Sequence, residues 1–288
     1  KIYKNLSLSI HNEKLYVSDN IGFIYSLNIK NGSITWIKNH GIPLKSNIKI
    51  FDNKIFLINQ DNRLLCLDVS DGSIIWDLRS ISPFIKSQGV VSMAISEEGY
   101  LVMLSSSGDL IQIFAKNGSL NWSLNISDVL DYSGTDFFQS SDIVINRDEI
   151  IFSASSFIYS FDLVTASLKW RKKFKSQNTP IVIDDYIFLT SESGFFVNMD
   201  RKSGDTIWST NILKVLKKKK QNTIVTGFIL GSGKIYATTL NGYLIVCSAS
   251  SGKVEYFKKI GDPVTSPPVI SDGSLYLLTK NYRLIGFN

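Results

Sequence analysis

An all-β propeller built from four-stranded antiparallel blades is the fold this sequence predicts. Three observations carry that expectation. The phrase NGSITW (Asn31–Trp36) returns as DGSIIW (Asp71–Trp76), NGSLNW (Asn117–Trp122), TASLKW (Thr165–Trp170) and SGDTIW (Ser203–Trp208), with a weaker SGKVEY (Ser251–Tyr256). The aromatic residues closing these copies are separated by 40, 46, 48, 38 and 48 residues. That period is too long and too β-rich for helical hairpin repeats and suits a blade with variable loops. Finally, each copy follows three short strand-like runs set apart by turn residues.

Taken in order, each repeat starts with an innermost strand A, such as LSLSI, SNIKIF, VVSMAI or DIVIN. Strand B follows, as in KLYVSD, KIFLINQ and YLVMLSS, and then strand C, as in GFIYSLN, NRLLCLD and GDLIQIF. The recurring phrase opens strand D. Strands joined in this order by short hairpins describe a β-meander blade. Seven C strands are present against six aromatic turns, so the seventh blade lacks its outer strand. The blades fall at about 1–40, 41–80, 81–126, 127–174, 175–212, 213–260 and 261–288, as a single propeller domain.

The recurring phrase has a mechanical reading. Gly32, Gly72, Gly118 and Gly204 can take positive φ, which makes a tight turn between strands C and D inexpensive. Trp36, Trp76, Trp122, Trp170 and Trp208 follow on strand D, where a large aromatic can cover the junction with a neighbouring blade. These nine residues read as structural. The Asp or Asn ending strand C (Asn28, Asp68, Asp162, Asp200) reads as a turn cap rather than a catalytic carboxylate.

Composition narrows the function. With 44% hydrophobic and 12% aromatic residues in 288, the chain can bury a substantial core and is not a disordered segment. No apolar run approaches the roughly 18–20 residues of a transmembrane helix, and Lys1 leads directly into strand-like sequence, without a signal peptide. The net charge of +6 is concentrated in part in LKVLKKKK, at Lys214 and Lys217–Lys220. A single lysine run reads as a solvated turn, with phosphate or anionic lipid headgroups as the alternative. Nucleic-acid binding would need a basic surface interleaved with aromatics, and none is evident. Cys66 and Cys247 read as small buried side chains. His11 and His40 have no Cys or acidic neighbours at metal-ligand spacing.

Blades ending in DG-x-apolar-x-W after apolar-Y-S-L-D resemble the quinoprotein-like repeat, shared by quinone-dependent alcohol dehydrogenases and by the BamB family of outer-membrane assembly factors. The resemblance covers the entire chain. Three longer stretches, Pro43–Asp68, Ser176–Trp208 and Gly261–Asn288, are similar to the BamB family in its alphaproteobacterial form. A quinone-dependent dehydrogenase would need a catalytic Asp, a Ca²⁺ site, a stacking Trp and a vicinal cysteine pair. This chain has no adjacent cysteines.

The resemblance therefore implies a non-enzymatic scaffold without cofactor or metal, which binds the periplasmic domains of a BamA-like protein. Nascent outer-membrane proteins are a second class of partner. It further implies eight blades in the untrimmed protein, one of them upstream of Lys1. The location implied is the periplasm, at the outer membrane, through an N-terminal lipid anchor outside this sequence. A quinoprotein-like enzyme or a small-ligand propeller using the central channel is the alternative, and a hub in another envelope complex is a third reading.

A scaffold places its contacts on loops. Three D-to-A connections are long, at Arg79–Gln88, Asn125–Ser141 and Asn211–Asn222, and the first two flank one blade. In the family, an Arg-containing loop and a later loop with paired aspartates meet the partner. Here the first loop offers Lys86, Ser87 and Gln88, with Lys86 as the nearest basic match. The second offers Asp131, Asp136, Phe137 and Phe138; Asp136 fits one aspartate, while a phenylalanine replaces the other. The two phenylalanines suit an interface hot spot, or equally the start of an inward-facing strand A. The open edge of the last blade offers strand addition as a further binding mode.

Overall fold

The computed structural model describes residues 6–79, 91–105, 108–126, 140–176, 178–191, 193–217 and 222–288. β-branched and aromatic residues dominate its strands, which run three to seven residues. The first sheet contains β1 (Leu6–His11), β2 (Lys14–Asp19), β3 (Phe23–Asn28) and β4 (Ile34–Asn39), hydrogen-bonded in chain order. A second repeats the pattern with β5 (Lys49–Phe51), β6 (Lys54–Ile58), β7 (Arg63–Asp68) and β8 (Ile74–Arg79). The third contains β9 (Ser92–Ile95), β10 (Tyr100–Leu104), β11 (Asp109–Phe114) and β12 (Leu120–Asn125). In the fourth are β13 (Val144–Asn146), β14 (Glu149–Ala154), β15 (Phe157–Asp162) and β16 (Leu168–Lys173).

The fifth comprises β17 (Ile181–Ile183), β18 (Tyr186–Thr190), β19 (Phe195–Asp200) and β20 (Thr206–Asn211). The sixth has β21 (Val225–Gly231), β22 (Lys234–Thr239), β23 (Tyr243–Ser248) and β24 (Val254–Lys259). Three strands, β25 (Val269–Ser271), β26 (Ser274–Leu278) and β27 (Leu284–Phe287), make the seventh. These are seven antiparallel propeller blades, the last with three strands.

Two compact units can be distinguished, Lys1–Ile150 with Asp162–Ser167, and Ile151–Phe161 with Leu168–Asn288. In the first unit, the strand period of two divides one strand between two cores. Ile55 and Leu57 of β6 join Tyr16, Ile24 and Leu65 on one side, whereas Phe56 and Ile58 join Met93, Leu101 and Ile113 on the other. A strand covered on both faces is therefore nearly continuously apolar, as in KIFLI. Each such side chain contributes about 1.5–3 kcal/mol by burial. Outer strands differ because one face meets solvent: β8, IIWDLR, has no fully buried residue. In the second unit Phe188, Phe196, Phe228 and Ile245 form one cluster, and Ile151, Ile158, Ile187 and Leu189 another.

The A–B hairpins at Asn12-Glu13, Asp52-Asn53 and Asp272-Gly273 place both central residues at positive φ, the two-residue turn that matches strand twist. The C–D turn is longer than the tight hairpin expected. Five residues, 29–33, separate β3 from β4; the Gly32 amide donates to the Asn28 carbonyl at 2.8 Å, with φ 70°. Asn28 Oδ1 accepts from the Lys30 amide at 2.9 Å, and Asp68 Oδ1 from the Ser70 amide at 2.7 Å. Hydrogen bonds from Ser70 hold the Asp68 carboxyl below the ordinary carboxylate value, and the Ser203 amide does the same for Asp200. Their work is to cap turns.

One copy breaks the glycine rule. Ala166 fills the turn position at φ 59°, with its amide 3.1 Å from the Asp162 carbonyl. A left-handed conformation costs an L-residue roughly 1–2 kcal/mol, part of which glycine's greater freedom in the unfolded chain offsets. Ala166→Gly is expected to stabilise the protein by about 0.5–1 kcal/mol, as a higher urea midpoint at unchanged slope. A lower midpoint would mean that packing of the methyl outweighs the strain.

Candidate functional site

The recurring turn is an interlock between successive repeats. The Trp36 indole N–H donates to the Val69 carbonyl at 3.1 Å, in the turn of the following blade. Its ring lies where a Cβ on Gly72 would stand 2.7 Å away. Trp122 donates to the Leu163 carbonyl at 3.1 Å, Trp170 to Arg201 at 2.8 Å and Trp208 to Ala249 at 3.2 Å. Added Cβ atoms on Gly118, Gly204 and Gly252 would meet the rings of Trp76, Trp170 and Trp208. Trp76 keeps the ring contact, but its indole nitrogen has no hydrogen-bond partner. The glycine thus serves twice, for its φ and for its missing side chain.

Strand register explains how the indole is aimed. In each of these six turns the pairing skips one residue of strand D, so that Ser26 faces Trp36 while Leu27 faces Ile34. The same shift falls at Ile75, Asn121, Lys169, Ile207 and Glu255. Such a bulge adds twist and redirects the following side chain. One residue stands between the first position of strand D and the aromatic in every copy, a spacing that is visible in the sequence but whose pairing is not.

All the loop residues expected to meet a partner, Lys86, Ser87, Gln88, Asp131, Asp136, Phe137 and Phe138, lie outside the described residues. The third long connection is partly core. Ile212–Val215 form a turn of 3-10 helix, capped by Asn211 Oδ1, which accepts from the Leu213 amide at 3.0 Å. Ile212, Leu213 and Leu216 are buried in the second unit, and Leu213 occupies the space a Cβ on Gly194 would need. Packing therefore removes these three residues from the candidate surface.

A cleft of about 680 Å³ opens in the first unit at the Ile95 end of β9. Ile95, Tyr100, Ile145, Leu163 and Val164 give it apolar walls, and Glu97, Glu98, Arg147 and Asp148 stand around it. The Ser96 hydroxyl accepts from the Tyr100 amide at 3.2 Å and fixes the turn. A hydrogen bond with Ser96 keeps the exposed Glu98 carboxyl below its ordinary value, and so ionised at neutral pH. An apolar side chain flanked by a base would fit such a cleft. The sequence reading missed it because its walls come from segments some fifty residues apart; the one local signal was SEEGY, an A–B turn carrying two carboxylates.

Among the described residues no group of three or more His, Cys, Asp or Glu could hold a metal ion. Burial pushes the thiols of Cys66 and Cys247 up to about 12, and both are free. Such thiols are poor nucleophiles. His11 bonds Asn53 Oδ1 at 3.1 Å, while burial, then the Lys38 charge, lowers the His40 pKa. No helix among the described residues is long and apolar enough to cross a membrane. The arrangement offers surfaces for binding.

The model of one protein family, described as outer membrane protein assembly factor BamB, matches residues 6–210. A relative of that name from Moranella endobia is 20% identical, over 94% of this chain and 71% of its own length. One from Yersinia pestis is 21% identical, over 95% and 68% respectively. The crystal structure of BamB from Moraxella catarrhalis superposes with a TM-score of 0.78 at 13% identity, covering 98% of this chain and 83% of that one. The propeller fold is shared, and the names describe an assembly factor, not an enzyme.

Proposed function

Because this chain belongs to the family of outer membrane protein assembly factor BamB, we propose that it is a non-enzymatic scaffold that docks the periplasmic domains of a BamA-like protein through inter-blade loops. The family match over residues 6–210 is the observation that carries this reading. It is consistent with a periplasmic location at the outer membrane. Function on the connections suits a scaffold, since indole contacts tie successive repeats together while loops are free to vary. The third blade is the strongest sector. Both long connections flank it in sequence, and the apolar cleft opens at the far end of its first strand.

The test is a binding titration of the full chain against the cognate BamA periplasmic region. Lys86→Glu and Asp136→Arg are each expected to weaken binding at least about tenfold, the effect of one interface contact worth over 1 kcal/mol. Lys116→Glu, on an exposed turn, should leave it unchanged. Failure of the unaltered protein to bind would overturn the scaffold reading. Equal binding by all variants would move the contact away from these loops.

A further inference from the structure

Three departures from the repeat meet at the cleft beside β9. Among the described residues, six of the seven A–B hairpins have two-residue turns, at 12–13, 52–53, 147–148, 184–185, 232–233 and 272–273. The third blade has a four-residue turn, 96–99, which carries Glu97 and Glu98, both exposed. The second departure is Val164. The same place in the other C–D turns holds Lys30, Ser70, Lys116, Lys202 or Ser250, whereas Val164 is apolar and 58% exposed. The third is Arg147, at φ 54°, where the equivalent left-handed turn residues are Asn12, Asp52, Asp184, Ser232 and Asp272. Short polar side chains suit that conformation, and a long cation gives the turn nothing in exchange. Glu97, Glu98, Arg147 and Val164 all line one cleft.

We propose that this cleft docks an extended segment of a partner protein in which a bulky apolar side chain adjoins a Lys or Arg. Val164 extends the wall formed by Ile95, Tyr100 and Ile145, so the four make an apolar patch rather than a lone exposed side chain. That wall takes the apolar residue, and the glutamates take the cation. Among the described residues no ion pair holds Glu97 or Glu98, whereas Asp148 is engaged in another interaction. The whole chain carries +6. At physiological salt, however, a charge acts over only ~8 Å, so the local carboxylates decide what enters. Arg147 offers guanidinium donors to backbone carbonyls, which a polypeptide supplies and a small cationic amphiphile does not. The same carboxylates disfavour an anionic membrane. This site is separate from the long D-to-A connections, which join the third blade at Ser92 and Asn125, the opposite end from Ile95. One blade can therefore hold two partners at once.

The test pans the full chain against a random nine-residue peptide library and titrates a recovered, labelled peptide into each variant. Recovered peptides are expected to share a bulky apolar residue adjoining Lys or Arg. Val164→Lys, and Glu97→Lys with Glu98→Lys, should each weaken binding at least about tenfold. Lysine stands at the Val164 position in three other turns, so that variant is expected to melt like the unaltered protein. Glu13→Lys, on an exposed turn of the first sheet, should leave binding unchanged. The cleft variants should also bind the BamA periplasmic region like the unaltered chain. If the unaltered chain fails to bind that region, the scaffold reading falls and the peptide titration still decides this one. A library with no shared pattern, or an acidic one, would overturn the proposal. So would equal binding by Val164→Lys, or phenethylamine binding as tightly as the peptide.

Discussion

Trp170→Ala is expected to destabilise the protein by about 3–5 kcal/mol, the cost of truncating a large buried aromatic. The residue is only 9% exposed, and its ring packs with Ile151, Ile158, Ile187 and Leu189. Two further losses accompany the cavity. The Arg201 carbonyl loses the indole donor at 2.8 Å, and the turn at Gly204 loses the ring on which it rests. Urea unfolding should register the change as a lower midpoint. Trp36→Ala, at a half-buried ring, should cost less. A loss below about 1 kcal/mol for Trp170 would show that the interlock is incidental to stability.

The second large effect concerns the glycine beneath that ring. Gly204→Val combines two penalties at one position. At φ 70° a β-branched residue is strained by about 1–2 kcal/mol. Its Cβ would stand 2.7 Å from Trp170 Cε3, and overpacking a site of this kind adds about 1–3 kcal/mol. The expected total is about 2–5 kcal/mol. Gly32 separates the two terms, because it has the same φ of 70° with nothing within 4 Å of an added Cβ. Gly32→Val should therefore show the strain alone, about 1–2 kcal/mol. Combining Gly204→Val with Trp170→Ala should give less than the sum, with a coupling of about 1–3 kcal/mol. Additivity would mean that ring and turn do not compete for the same space.

Much of the blade was legible in the chain. Strand order, the number of sheets and the three-stranded last blade follow from periodicity, which depends on local alternation and turn residues alone. Glycine stands in five of the six turns and tryptophan in five, positions the chain alone presents as structural expectations. What the tryptophan meets was not, because its partner lies in the next repeat, 33 residues away for Trp36 and Val69. Nor was the bulge at Thr35, since pairing register belongs to two strands rather than one. Part of the charge excess falls at Lys214 and Lys217–Lys220, of which the described residues include Lys214 and Lys217.

By itself, then, the sequence determined the repeating unit: four strands, a left-handed turn residue and an aromatic, written out at near-regular spacing. Tertiary structure decided what each unit does to its neighbour. The indole of one blade fills the space that glycine leaves empty in the next, and Leu163 and Val164 come to wall a cleft with Ile95 and Tyr100. The physical reason is range. Turn chemistry and alternation act over a few residues and can be read along a line, whereas close packing and register depend on which distant segments share a space.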